Sequence, residues 1–327
     1  MPRAAVCREL GPPTKLRIEE VPRAALGSGE VRIAMAVAGV NFPDLLMVQG
    51  GYQLRPPLPF TPGMEGAGRI VECAADVERW RVGDRAIVRL RPGTFAEEVV
   101  APAARLIRVP RGMDDTDAAC FTVAFRTAYH GLVDRGRLAA GDVLLVHGAA
   151  GGVGLAAVRL GAELGAHVIA TAGSEEKCAA AVAEGAAHAI DYRAGNFREA
   201  VLALTEGRGA DVVFDPVGGD VFDASLRCLA WGGRLLVVGF ASGRIPAAPA
   251  NYPLLKGAAI VGVRAGEHSR RDPAGDRRNL ATLTGMAEAG RIRPHISHRL
   301  PLERAAEALM LLAERRVIGR AVLVMER

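Results

Sequence analysis

The residues with the clearest chemical meaning form one turn, Gly148-Ala149-Ala150-Gly151-Gly152-Val153-Gly154. A dinucleotide site needs a tight bend, a position without a side chain where backbone meets pyrophosphate, and close helix–strand packing. Gly151 and Gly154 match the second and third glycines of G-x-G-x-x-G, with Ala149 in place of the first. The apolar run Val143–Val146 precedes the turn and reads as a parallel strand buried on both faces. Residues 152–165 then carry small and apolar side chains at helical spacing and end on a C-cap glycine, Gly165. Residues 167–171 read as a second strand, which completes a βαβ unit. The helix N-terminus after the turn offers free N–H groups and a positive dipole end to a phosphate.

The end of the second strand discriminates between coenzymes. An NAD site carries an acidic residue there, about 20 residues past the glycines, to bind the ribose hydroxyls. This chain reads Ala170-Thr171-Ala172-Gly173-Ser174, with no carboxylate to repel a 2′-phosphate. Lys177 follows in the first turn of the next helix, Ser174 offers a hydroxyl and an N–H, and Tyr192 ends the third strand. These residues favour NADPH.

The elements that must position this site alternate. Residues 174–185 read as a helix, 189–192 as a strand, 197–205 as a helix and 211–215 as a fourth strand. A helix over 221–230, a fifth strand over 234–240 and a sixth over 258–263 follow. Such alternation implies a doubly wound parallel sheet of six strands, an α/β fold with its ligand over the carboxyl ends of the strands. That gathers Gly151, Gly152, Val153, Gly173, Ser174, Lys177, Gly218, Gly239, Phe240 and Ala241 around one crevice. Ala150, Val238, Gly262 and Val263 complete the expected coenzyme-binding set.

Residues 1–120 differ. Short apolar runs at 31–37, 68–72 and 85–89 are punctuated by Pro- and Gly-rich turns, the pattern of a barrel-like β domain. A helix over 114–132 leads out of it. The tail has helical stretches at 279–289 and 303–315 and an apolar strand at 320–325 that needs a sheet to join.

Composition is that of a soluble globular enzyme: 327 residues, 50% hydrophobic and 24% charged, with a net charge of +5. The arginines are scattered and not interleaved with aromatics, so the positive charge does not indicate nucleic acid. The five cysteines form no CxxC pair, which argues against a zinc cluster or a disulfide framework. There is no apolar signal core and no run of membrane-spanning length, and a cytoplasmic protein is expected.

Further motifs run through the chain: Asn41-Phe42-Pro43-Asp44, Gly51-Tyr52, the Leu-Pro-Phe-Thr-Pro-Gly run at 58–63, Glu65-Gly66-Ala67-Gly68 and His147 to Gly154, continuing through residues 171–177 and 232–239. On these, along its whole length, the sequence resembles the zinc-free, zeta-crystallin-like quinone oxidoreductases of the medium-chain dehydrogenase/reductase superfamily. The resemblance implies a GroES-like β-barrel catalytic domain over 1–121, completed by 266–327, and a Rossmann domain over 122–265. It also implies that Asn41 and Tyr52 lie beside the nicotinamide with Asp44 nearby, and that Thr127 reaches the nicotinamide ribose or amide. Zinc members carry a catalytic cysteine where this chain has Gly39-Val40-Asn41, and Gly-His-Glu where it has Gly63-Met64-Glu65; no metal is expected. The implied activity is NADPH-dependent quinone reduction. Reduction of 2-alkenals, enones or enoyl thioesters is the first alternative, and a non-catalytic NADPH-binding structural or RNA-binding protein the remote one. The implied assembly is a homodimer paired through the sixth strand.

Overall fold

The computed structural model describes residues 1–325. The chain forms two compact units, residues 1–123 with the segment from 293 onward, and residues 124–292. In chain order the first unit carries β1 (Arg3–Val6), β2 (Arg17–Glu20), β3 (Glu30–Val40), α1 (Phe42–Val48), β4 (Glu65–Cys73), β5 (Arg85–Arg89), β6 (Glu98–Pro102) and β7 (Ile107–Arg108). The boundary falls inside α2 (Asp115–Tyr129). The second unit holds β8 (Val143–Val146), α3 (Gly152–Glu163), β9 (His167–Ala172), α4 (Glu175–Ala183), β10 (His188–Asp191), α5 (Phe197–Leu204) and β11 (Ala210–Asp215). It continues with α6 (Gly219–Ser225), β12 (Leu229–Val237), α7 (Asn251–Lys256), β13 (Ala259–Gly262), α8 (Ala265–Arg271) and α9 (Pro273–Glu288). The chain returns to the first unit with β14 (Ile296–Pro301), α10 (Ala305–Ala313) and β15 (Arg320–Val324).

β3 is the spine of the first unit. Its small and β-branched residues are buried almost throughout, and both of its edges are paired. β4 runs antiparallel along one edge. On the other, β6 pairs residues 30–34 and β15 pairs residues 37–40. The apolar closing strand thus finds its sheet here, in the order β14-β15-β3-β4-β5-β7. The β1–β2 ribbon is tied on through bridges Ala4–Ala96 and Cys7–Phe60.

The second unit is a six-stranded sheet in the order β10-β9-β8-β11-β12-β13 with every pairing parallel. All four residues of β8 are buried, as its unbroken apolar run predicts. Strand order reverses between β8 and β11, and ligands of such sheets bind outside the carboxyl ends at that point. Several boundaries differ from the sequence reading. Leu229 and Ala230, read as the end of a helix, begin β12, where Leu229 pairs with Ala210 and both side chains are buried. That strand stops at Val237, so residues 238–241 form a loop. The second unit runs to Ile292, well past position 265, because α8 and α9 are tied back onto α2 and the turn after it. The ties are an Arg126–Asp276 ion pair and a hydrogen bond from Asn279 to Asp134. Among the described residues no helix is long and apolar enough to cross a membrane.

Candidate functional site

In the second unit the expected coenzyme residues follow the carboxyl ends of adjacent strands. Gly151 is the N-cap of α3, in extended backbone conformation (φ −79°, ψ 167°), which turns the first N–H groups of the helix outward. Gly154 is where helix meets turn: a Cβ there would lie 2.2 Å from the Gly148 carbonyl oxygen and 2.8 Å from Ala149 Cα. At Gly151 a Cβ would meet only the Gly148 oxygen, at 3.3 Å. One glycine is therefore required by the protein, and the other leaves open backbone. The loops after β11 and β12 lean on each other, since a Cβ on Gly218 would sit 2.9 Å from Phe240. Gly262 ends β13, and the Val263 N–H donates to the Val237 carbonyl at 2.9 Å. After β9, Ser174 caps α4 by accepting from the Lys177 N–H at 3.3 Å. The Tyr192 hydroxyl lies 2.5 Å from where a Gly173 side chain would begin, so a side chain at 173 would displace the tyrosine ring.

A buried histidine that carried no role in the sequence reading braces this cradle. His147, the last residue before Gly148, contacts Thr171 Oγ1 through Nδ1 and Ser225 Oγ through Nε2, both at 2.8 Å. The Ser225 hydroxyl donates to the Val221 carbonyl at 2.7 Å, so it must accept from Nε2–H. That assigns the tautomer from the network: Nδ1 is the acceptor and Thr171 the donor. Burial pushes the His147 pKa down to about 3, so the imidazole stays neutral and holds β8, β9 and α6 in register. Its signal in the sequence is a polar ring at the end of an apolar strand.

In the first unit, Asn41 and Asp44 converge with two residues that no candidate set contained, Glu65 and Arg320. Asn41 is the N-cap of α1, and its backbone N–H donates to Asp44 Oδ2 at 2.9 Å in a capping box. The Asn41 side chain is fully committed: its amide donates towards the Gly39 carbonyl at 3.3 Å and Glu65 Oε1 at 3.4 Å, and its oxygen accepts from Arg320 Nη1 at 2.7 Å. Arg320 Nη2 donates to Glu65 Oε1. Glu65 Oε2 accepts from Thr122 Oγ1 at 2.7 Å and the Val123 N–H at 2.8 Å. All four side chains are buried. Tyr52 is half-buried against the core of this unit, and Thr127, half-buried on α2, belongs to the second unit.

Residues 27–111 match the alcohol dehydrogenase GroES-like domain and residues 152–278 the zinc-binding dehydrogenase domain. The chain is 39% identical to quinone oxidoreductase-like protein 2 of Rattus norvegicus over 98% of its own length and 91% of that protein. The chain belongs to the quinone oxidoreductase-like proteins of the medium-chain dehydrogenase/reductase superfamily. A solved quinone oxidoreductase of Pseudomonas syringae pv. Tomato DC3000 superposes with a TM-score of 0.92 at 30% identity, covering 99% of this chain and 100% of that one. Mycobacterial Rv1454c complexed with NADPH gives 0.90 at 30% identity, over 98% and 99%. The chain is therefore an oxidoreductase that uses a nicotinamide coenzyme, and the glycine cradle fits one.

Zinc does not fit. The ion needs thiolate, neutral imidazole or carboxylate donors that converge with free lone pairs. A side chain on Gly39 would begin 2.5 Å from the Ala119 carbonyl oxygen and 3.1 Å from Arg320 Nη2. Glu65 is already matched by a guanidinium and three further donors. Burial pushes the nearby Cys120 thiol up to about 11. Arg320 is the fixed cation that balances Glu65.

Two carboxyls then share one guanidinium. Burial raises the Asp44 pKa to about 7, partly opposed by the Asn41 N–H and by Arg320, and Asp44 Oδ1 has no hydrogen-bond partner. Its ordinary value is 3.8, so between roughly pH 4 and 7 the folded chain holds a proton that the unfolded chain has lost. This group's contribution to stability falls as pH rises through that window and is level above it. Asp44→Asn should therefore flatten the pH–stability curve, gaining about 3–4 kcal/mol on wild type between pH 4.5 and 7.5. Urea unfolding at each pH checks this; parallel curves would refute it.

Proposed function

We propose that the chain is an NADPH-dependent reductase of quinones that works without zinc. The observation that carries the coenzyme choice is the end of β9, where Gly173 and Ser174 stand in place of an acidic residue and Lys177 sits in the first turn of α4. The Ser174 hydroxyl accepts from the Lys177 N–H, so its own proton remains available to a phosphate oxygen. Lys177 adds a point charge of the right sign. Turn residues 150–153 and the N-terminus of α3 would take the pyrophosphate.

When bound, NADPH supplies the hydride. Quinones are electrophilic enough to accept it without a Lewis acid, which suits a site where Arg320 already neutralises Glu65. Tyr52 is the residue assigned to donate a hydrogen bond to the developing phenolate, and water can supply the proton that completes the hydroquinone. Asn41, with every polar atom engaged internally, acts as a positioning residue: it fixes the start of α1 through Arg320 and Asp44. The homologues' names support the quinone assignment.

The test follows coenzyme absorbance with NADPH and NADH in parallel across quinones, enones and enoyl thioesters. NADPH oxidation by quinones is expected, with Lys177→Ala weakening NADPH binding about 10- to 100-fold and leaving NADH unchanged. Turnover confined to enones or thioesters would replace the substrate class, and binding without turnover would remove the enzymatic reading.

A further inference from the structure

Three side chains that this chemistry does not use converge inside the second unit. His130 and Asp134 lie four residues apart on a π-helical turn, His130–Arg135, that continues α2, and π-turns recur at functional sites. His268 comes from α8. His130 Nδ1 is 2.7 Å from Asp134 Oδ2, and His268 Nε2 is 3.6 Å from the same oxygen. The imidazoles stack with centroids 4.2 Å apart and 14° between planes. His268 Nε2 is buried without a hydrogen-bond partner, although buried ring nitrogens are ordinarily satisfied. Asn279 of α9 donates to Asp134 Oδ2 at 2.7 Å.

We propose that His130, Asp134 and His268 bind one divalent cation of the zinc class. Two imidazoles and a carboxylate are the donor set that such borderline ions prefer. Ligand atoms about 2.0–2.2 Å from a tetrahedral ion stand about 3.3 Å from one another. The observed 2.7 and 3.6 Å bracket that separation, and all three ligand atoms lie within 4.8 Å of each other. Closing the set around an ion requires the two rings to rotate out of their stack. Asn279 is the outer partner that orients the carboxylate, and water takes the fourth position. The neighbouring guanidiniums are engaged elsewhere: Arg126 pairs with Asp276, and Arg135 donates to the Gly262 carbonyl at 3.1 Å.

The ion clips α8 to the turn after α2. A Cβ on Gly131 of that turn would lie 2.9 Å from Phe214 of β11 and 3.5 Å from Val263, so the clip bears on the core of the second unit. All ligands belong to that unit, whereas Asn41, Tyr52 and Glu65 belong to the other. The proposal does not rest on the quinone assignment.

The test uses the full chain stripped with a chelator and titrated with Zn²⁺ alone, by calorimetry and by competition with a chromophoric chelator. One ion per chain is expected, with a Kd of about 1 μM or lower and a melting temperature that rises with Zn²⁺. His268→Ala and Asp134→Asn should each weaken binding by tenfold or more, and Asn279→Ala by roughly tenfold. Co²⁺ in the wild-type chain should give visible d–d bands without a thiolate charge-transfer band, a readout that does not depend on any variant folding. No binding at 100 Kd of the expected value (about 100 μM), equal binding by the variants, or a thiolate band would overturn the site.

Discussion

Arg320→Met is expected to destabilise the first unit by about 3–5 kcal/mol, the cost of stranding a buried charge when its partner is removed. Glu65 has no exposed surface and Arg320 is 5% exposed, so solvent cannot replace the lost guanidinium. Thr122 Oγ1 and the Val123 N–H still serve Oε2, but Oε1 would keep only the long contact from Asn41. Asn41 Oδ1 would lose its donor at the same time, loosening the start of α1. The companion variant Glu65→Gln/Arg320→Met removes both charges and should recover most of the loss. Chemical unfolding of the wild type, both single variants and the double variant gives the coupling energy directly. A single Arg320→Met variant as stable as wild type would show that the pair is not a matched buried charge.

Gly154→Ala and Gly151→Ala should separate two reasons for glycine in one turn. At Gly154 the added methyl would begin 2.2 Å from the Gly148 oxygen, so the turn must open and the N–H groups of α3 must shift. Both outcomes follow: lower stability of the coenzyme-free chain, by about 1–3 kcal/mol as for other overpacked sites, and coenzyme affinity reduced about 100-fold. At Gly151 the nearest atom is 3.3 Å away, so stability should hold while affinity falls, because the methyl occupies the face that the pyrophosphate must approach. Melting curves without coenzyme, beside fluorescence titration with NADPH, resolve the two. Affinity unchanged in both variants would mean that the turn is not the pyrophosphate site.

What the sequence determined by itself was everything carried by local periodicity and by turn chemistry. The strand Val143–Val146, the glycine turn and the helix after it needed no distant information, because buried strands and phosphate turns impose their residues within a short window. The missing acid at Gly173-Ser174 was legible for the same reason. Boundaries that depend on partners were not. Leu229 and Ala230 continue a helical pattern, and only pairing with Ala210 on β11 makes them strand. Tertiary structure alone assembled the remaining chemistry. Arg320 reaches Glu65 and Asn41 from 255 and 279 residues away in the sequence, because β15 pairs beside residues 37–40 of β3. His268 meets His130 and Asp134 because α8 folds back on the turn after α2. A buried charge has no periodicity, and its meaning comes from the opposite charge that the fold places against it.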